Sequence, residues 1–359
     1  MARSTQAVIK LQHLKDNYQL AKKYSQHAYA VIKADAYGHG LIPTAQALAE
    51  ADGLAVACMD EALQLRHHGI RNPILVLEGG YDEAEWLAAL EHDIEMVLHH
   101  QSQLAILIAE SHFKKLKLWL KVDSGMNRLG FRLNECHEIF EQCNHAGLSI
   151  KVLMSHFACA DDLASEKTLS QYQIIADIHL QQKEFWPELI LSTSNSAAIM
   201  GWPEVTDNIS RPGIMLYGSS PLIKTSKQGD KLKPVMTLTA KIIASHTLSA
   251  GESIGYGDSW IADKTTRVAI VAIGYGDGYP RSASSGTPVW CQGKRLQTLG
   301  RVSMDMLCID ISGQTDIDVG SEVELWGENI NANEVAKLCN TISYELFCQL
   351  TPRVKRVYK

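Results

Sequence analysis

Short apolar runs rich in β-branched residues alternate with segments of helical periodicity from about residue 28 to residue 218. The runs predict strands at residues 29–33, 54–58, 74–77, 94–98, 118–122, 150–155, 189–193 and 209–216. Helices are predicted between them, among others at residues 60–68, 82–90, 134–144 and 166–183. The strands are almost continuously apolar, which is typical of parallel strands covered on both faces. About eight strand–helix units predict an α/β fold of the TIM type, a (β/α)8 barrel, although the last unit has little helical signal.

The pattern changes beyond residue 225. Residues 235–326 alternate apolar and polar side chains with a period of two, and glycine-containing turns separate the runs. We therefore predict two domains, a barrel at residues 1–225 and a mainly β domain at residues 226–359. A connection is expected at residues 225–233 and a helix, capped by Asn331, at residues 331–338.

Composition narrows the functional classes. The 359 residues include 34 basic and 40 acidic side chains, a net charge of −6 with no long basic run, which disfavours nucleic acid and anionic membrane as partners. The first residues lack the apolar core of a signal peptide, and no later stretch is long enough to cross a bilayer. These features favour a cytoplasmic protein that acts on small molecules. The eight cysteines agree with that compartment: they are scattered without a C-x-x-C motif, so we expect reduced thiols and no metal site.

Polar side chains follow the predicted barrel strands where each strand ends. They are Lys33 after the first strand, Asp123 and Arg128 after the fifth, His156 after the sixth, Ser196 after the seventh, and Arg211 with Gly213 around the eighth. Active sites of such barrels lie at this carboxyl-terminal face. A lysine at the end of a buried strand has a lowered pKa and is a nucleophile for Schiff-base chemistry, which points to pyridoxal 5′-phosphate (PLP). A solvated lysine at a strand end is the alternative.

Several motifs, in order along the chain, resemble those of the alanine racemases, a family of fold-type III PLP enzymes. The resemblance covers essentially the whole chain and rests on residues 30–40, 121–130, 155–157, 195–198, 211–218, 255–257, 274–279 and 300–305. It implies a two-base interconversion of L-alanine and D-alanine, with Lys33 and Tyr256 transferring protons on opposite faces of the substrate. His156 and Arg211 are the catalytic groups expected behind Tyr256. The D-alanine would supply peptidoglycan synthesis, or the reaction would serve alanine catabolism.

The same resemblance implies the cofactor contacts. Arg211 is expected against the pyridine nitrogen, where a guanidinium that stays protonated discourages protonation of the ring. The residues expected to contact PLP are Lys33, Tyr37, Arg128, His156, Ser196, Arg211, Gly213, Ile214 and Tyr344. Three of these assignments have plainer alternatives: Arg211 before a Pro-Gly turn, Ser196 as a helix N-cap, and Tyr344 as a packing residue near the chain end.

Substrate contacts and assembly are also implied by the resemblance. Arg128 and the amide of Met304 are expected at the substrate carboxylate, and a carbamylated Lys121 is expected to position Arg128. A plain Lys121–Asp123 pair is the alternative. The residues expected to line a narrow entry channel are Asp161, Tyr275, Arg281, Arg301 and Ile342, together with Tyr344. The family also implies a head-to-tail homodimer in which Tyr256 completes the partner's site.

Two other functions remain open at this point. A PLP-binding barrel protein without catalytic activity would need neither the second domain nor Tyr256. A fold-type III amino-acid decarboxylase would be expected to carry an acidic residue in place of Arg211. Taken alone, Gly255-Tyr256-Gly257 also fits a simple β-turn with an aromatic tip.

Overall fold

The computed structural model describes residues 5–224 and 229–359. Strand β1 (Gln6–Ile9) leads into the helix Leu11–Lys22. Eight parallel strands then form one sheet: β2 (His27–Val31), β3 (Gly53–Val56), β4 (Ile74–Val76), β5 (Glu95–Leu98), β6 (Leu118–Lys121), β7 (Ile150–Met154), β8 (Ile190–Ser192) and β9 (Ile209–Ser210). They pair in the order β8-β7-β6-β5-β4-β3-β2-β9, and a bridge between Asn195 and Arg211 joins the chain beyond β8 and β9. The predicted (β/α)8 barrel is confirmed.

Helices cover the outside of the barrel. They are Leu41–Ala47, Met59–His67, Glu83–Glu91, Gln101–Ala109, Cys136–Ala146, Lys167–Gln182 and Ser196–Gly201, with 3-10 turns at Ser111–Lys115 and Ile214–Tyr217. Every residue of β3, β4 and β6 is buried. The continuous apolar runs of the sequence thus correspond to strands enclosed between the barrel interior and the helices.

Most strand boundaries lie one or two residues from the prediction, and two of the differences bear on the site. The strand predicted at 209–216 ends at Ser210, because Pro212 has no N–H to donate and the chain turns at Gly213 into the 3-10 turn Ile214–Tyr217. The strand predicted at 29–33 ends at Val31, so Lys33 lies in the loop after the strand. Both differences occur at the carboxyl face, where chain direction changes sharply.

The second domain is mainly β. Its strands are β10 (Met236–Leu248), β11 (Thr266–Val271), β12 (Pro288–Cys291), β13 (Lys294–Leu299), β14 (Leu307–Asp310), β15 (Glu322–Trp326) and β16 (Lys355–Tyr358). The sheet order is β11-β14-β13-β12-β15-β10-β1-β16, with β11 also paired to β10. Strand β1 therefore belongs to this sheet although it precedes the barrel in sequence.

Two short helices and three 3-10 turns accompany these strands in the described part of the second domain. The helices are Ala332–Leu338 and Ser343–Cys348, and the turns are Gly229–Lys231, Tyr256–Asp258 and Tyr275–Asp277. The side chain of Asn331 accepts a hydrogen bond from the N–H of Asn333, as predicted for the N-cap. The connection predicted at 225–233 and the signal-peptide prediction for the chain start fall partly outside the described residues. Within the described ranges, no helix is long and apolar enough to cross a membrane.

Candidate active site

The polar side chains predicted at the strand ends gather at the carboxyl face of the barrel. Lys121 is the last residue of β6, and His156 follows β7 by two residues. Arg211 lies just beyond β9 and is buried, as is Lys121, whereas Lys33 is partly exposed in the cleft. The barrel closure explains this arrangement, since parallel strands all end at one rim.

These groups form a cluster of positive charge. Burial lowers the pKa of His156 well below its ordinary value, and Arg211, Lys121, Arg128 and Lys33 lower it further, so the imidazole is neutral. Burial also lowers the pKa of Lys121 to about 8, with Arg211, Arg128 and Lys33 acting in the same direction. Four cationic residues around a neutral histidine favour anionic ligands, such as phosphate and carboxylate groups.

A left-handed turn presents Lys33. Four successive residues other than glycine, Ala34 to Tyr37, have φ between 53° and 55°. This conformation costs L-residues roughly 1–2 kcal/mol each. Asp35 accepts a hydrogen bond from the N–H of Leu41 at 2.7 Å, and Glu61 accepts one from the N–H of Ala34 at 2.6 Å. Such backbone strain is typical of functional sites.

His39 holds the same turn from its buried side. Its Nδ1 lies 3.1 Å from the carbonyl oxygen of Ala36 and 2.9 Å from that of Tyr37. Since both partners accept, Nδ1 must carry the proton. The ring packs on Tyr217 and Phe347, and burial lowers its pKa to about 4. His39 is therefore neutral, and its Nε2 has no hydrogen-bond partner among the described residues.

The residues predicted to bind phosphate lie together. The hydroxyl oxygen of Ser196 accepts a hydrogen bond from the N–H of Gly213 at 2.8 Å. A Cβ at Gly213 would lie 2.7 Å from the hydroxyl of Tyr37, so a larger residue would fill this space. The rings of Tyr37 and Tyr344 lie 5.7 Å apart. Asn195, and not Ser196, caps the helix that follows, by accepting from the N–H groups of Ala197 and Ala198. These hydroxyl and amide donors fit a phosphate group.

Arg211 is fixed by neutral acceptors. Its Nη2 donates to the carbonyl oxygen of Ser155 at 2.6 Å and to that of Thr193 at 3.3 Å, and its Nη1 donates to the hydroxyl of Ser192. Burial lowers the pKa of Arg211 to about 10, so the guanidinium stays charged at neutral pH. The residue is thus a rigid cation at the barrel rim.

Lys121 does not form an ion pair with Asp123 in the described part of the chain. Asp123 accepts from the N–H groups of Gly125 at 2.9 Å and Asn127 at 3.0 Å, and from Arg132 Nη1 at 3.0 Å. Those contacts brace the loop that carries Arg128. The predicted alternative of a plain Lys121–Asp123 pair is therefore not what this structure contains.

The other predicted residues form two groups. Tyr344 lies beside Tyr37 of the barrel, and burial raises its pKa, with Asp161 raising it further, whereas Ile342, two residues earlier, is exposed. Tyr256 instead lies on the second domain in an exposed 3-10 turn, with 70% of its surface accessible. A Cβ at its neighbour Gly257 would lie 3.1 Å from Arg301 Nη1.

Met304 lies beside the turn that carries Tyr275, because its carbonyl accepts from the N–H of Gly276 at 2.8 Å. Met304 and Arg281 are exposed. The residues on the second domain therefore form an open surface in the single chain.

The sequence reasoning missed two features of this site. The left-handed turn carries no signal, because glycine usually marks that conformation and Ala34 to Tyr37 contain none. The role of His39 depends on the same turn. No group of three or more His, Cys, Asp or Glu side chains that could hold a metal ion occurs in residues 5–224 and 229–359.

Comparisons with known proteins agree along the whole chain. Residues 9–221 match the family model of the alanine racemase N-terminal domain, and residues 235–358 match that of the C-terminal domain. An alanine racemase of Pseudomonas fluorescens is 47% identical over 359 residues, which is 99% of each chain.

Solved structures show the same correspondence. The biosynthetic alanine racemase of Pseudomonas aeruginosa superposes with a TM-score of 0.93 at 40% identity, over 100% of both chains. An alanine racemase of Bartonella henselae, solved with covalently bound pyridoxal phosphate, gives a TM-score of 0.88 at 28% identity, again over 100% of both chains.

Proposed function

The chain belongs to the alanine racemase family, and is therefore an isomerase of alanine; we propose that it acts with PLP bound covalently to Lys33. When bound, this cofactor withdraws electrons from the Cα–H bond of the amino acid and so allows that proton to leave. The main support for this proposal is the cluster of cationic side chains around Lys33, together with Ser196, Gly213 and Tyr37, which lie together where the phosphate would bind.

Different residues of the cleft would contact different parts of the cofactor. Ser196, Gly213 and Ile214, with the hydroxyls of Tyr37 and Tyr344, would hold the phosphate. Arg211 would face the ring nitrogen and, because its pKa of about 10 keeps it protonated, would leave that nitrogen without a proton. His156, kept neutral by burial and by the neighbouring cations, would lie between Arg211 and the proton-transfer site.

Two side chains would exchange the substrate proton on opposite faces. Lys33 serves one face, and the phenol of Tyr256 serves the other. A free tyrosine with a pKa of ~10 is a weak base near neutral pH, so it needs neighbours that stabilise its phenolate. His156 and Arg211 would supply that stabilisation.

A head-to-tail homodimer would bring Tyr256 to a cleft. The exposure of Tyr256, Met304 and Ile342 in the single chain supports this arrangement, since each is a large side chain with more than half of its surface accessible. In such a dimer, Tyr256 and the amide of Met304 would enter the partner's site, and Tyr275, Arg281 and Arg301 would line its entry with Asp161 and Ile342. Racemase activity that survives dilution to a pure monomer would contradict it.

Lys121 is proposed to be carbamylated. Its buried amine has a pKa of about 8, so roughly a tenth is neutral at pH 7 and can attack carbon dioxide, with release of one proton. The product places a negative charge among Lys33, Arg128 and Arg211, where an ammonium would be repelled. Arg128 would then be held for the substrate carboxylate.

We also place the reaction in the cytoplasm, which the eight free cysteines support.

Borohydride reduction of the holoprotein followed by peptide mapping tests the cofactor site. The pyridoxyl group is expected on Lys33 and is expected to be absent from the Lys33→Ala variant. A stable adduct on another lysine refutes the proposal. Chiral analysis of alanine, together with carbon dioxide release, separates racemisation from decarboxylation and from binding alone.

A further inference from the structure

Asp207 lies against the end of β8, opposite Arg211. It is half-buried in the loop between the helix Ser196–Gly201 and strand β9. Its Oδ2 accepts from the backbone N–H of Thr193 at 2.8 Å and from that of Ser194, and its Oδ1 accepts from the Thr193 hydroxyl at 2.7 Å. Both carboxylate oxygens are therefore committed to two consecutive residues.

The same two residues hold Arg211. The carbonyl of Thr193 accepts from Arg211 Nη2 at 3.3 Å, and the carbonyl of Ser194 accepts from the Arg211 N–H at 2.9 Å. The Thr193–Ser194 peptide thus has its oxygen on the guanidinium and its N–H on the Asp207 carboxylate. In a buried environment, a negative charge at one end of a peptide strengthens the hydrogen bond at its other end.

Arg211 needs such support, because its direct partners are all neutral. A buried guanidinium without an anion is costly. The charge of Asp207 raises the pKa of Arg211 and so opposes the effect of burial. Lys121 and His156 also act electrostatically with Arg211, and neither is an anion as an unmodified side chain.

We propose that Asp207 is the counter-ion and positioning residue of Arg211, acting through the Thr193–Ser194 peptide. The inference rests on the proposed placement of Arg211 at the cofactor ring. Asp207 itself lies on the far side of the peptide, so it affects the reaction only through the charge and orientation of that guanidinium.

A double-mutant cycle on the cofactor-free protein tests the coupling. Asp207→Asn is nearly isosteric: its amide oxygen can accept from both N–H groups and its amide nitrogen can donate to the Thr193 hydroxyl, so mainly the charge is lost. We expect D207N to lower the ratio of folded to unfolded protein by about tenfold when Arg211 is present, and by much less in the Arg211→Met background. Glu204→Gln removes an exposed charge from the same loop and is the control.

The pH profile of the holoenzyme gives a second readout. D207N is expected to move the alkaline limb of kcat/KM down by about one pH unit, because Arg211 gives up its proton more easily, whereas Asp207→Glu and E204Q keep it near the wild-type pH. If D207N does not fold, Asp207→Ser takes its place. A purely structural defect lowers the rate without moving the limb.

The outcomes separate the two proposals. A coupling below about twofold, or an unmoved alkaline limb in the variant without charge, overturns the role of Asp207. Wild-type racemisation by Arg211→Met overturns the proposed placement of Arg211 instead, and leaves the coupling measured without cofactor standing.

Discussion

Replacing His39 should remove a pH-sensitive part of the stability. The pKa of this histidine falls from 6.5 to about 4 on folding, chiefly because the ring is buried. As pH falls through 6.5 the unfolded chain takes up the proton, whereas the folded chain resists until about pH 4. The free energy of unfolding therefore decreases across this window and changes little from this source outside it.

The magnitude follows from the shift. A change of about 2.5 pKa units corresponds to about 3 kcal/mol, a large share of the stability of an ordinary domain. The depressed pKa of His39 also protects the left-handed turn, because a protonated ring would put an unpaired buried N–H at Nε2, which has no partner among the described residues. Stability and the presentation of Lys33 should thus decline together in acid.

Denaturant unfolding of His39→Asn and of the wild type between pH 7 and pH 4 measures this. The asparagine amide can still donate to the carbonyls of Ala36 and Tyr37, so the variant should lose packing at every pH but should lose about 3 kcal/mol less on acidification. His67→Asn, at an exposed position, is the control and should follow the wild type. Parallel pH dependence in H39N and the wild type would refute the reasoning.

Three further predictions concern the catalytic site. Tyr256→Phe should lose solvent deuterium exchange at the L-alanine face by about 10²–10⁴-fold while cofactor absorbance persists, and unchanged exchange would remove Tyr256 from the mechanism. Gly213→Ala places a methyl group 2.7 Å from the Tyr37 hydroxyl, so PLP binding to the apoprotein should weaken at least about tenfold in an absorbance titration. Gly69→Ala, at a surface turn where a Cβ meets no atom, is the control for a general loss of stability. Electron density at the Lys121 amine should show a carbamate, and a bare ammonium would rule it out.

The fold could be predicted from the sequence because apolar and polar residues alternate periodically along it. Apolar runs mark buried strands such as β3 and β6, and helical segments follow at regular spacing. The position of β1 in the sheet could not be predicted in this way. Its pairing with β10 and β16 joins the two ends of the chain, and local patterns hold no information about such distant partners.

The candidate site could be predicted where a residue type suited to catalysis follows the end of a predicted strand, as at Lys33, His156 and Arg211. The residues that support these side chains were not. Asp207 is an ordinary loop aspartate in sequence, and its relation to Arg211 appears only when β8 and β9 lie side by side at the closure of the barrel. Likewise, His39 holds a left-handed turn that the residue types of Ala34 to Tyr37 do not predict.

Strain and burial occur together around Lys33 for a physical reason. A turn of four left-handed residues costs several kcal/mol and persists only where packing excludes alternatives. Part of that packing comes from the second domain: Phe347 contacts His39, the backbone of Phe347 leaves no room for a Cβ at Gly38, and the hydroxyl of Tyr358 leaves none at Gly40. Phe347 and Tyr358 of the second domain therefore help to hold the turn that presents the lysine of the barrel, and the strand that carries Tyr358 pairs with the first strand of the chain.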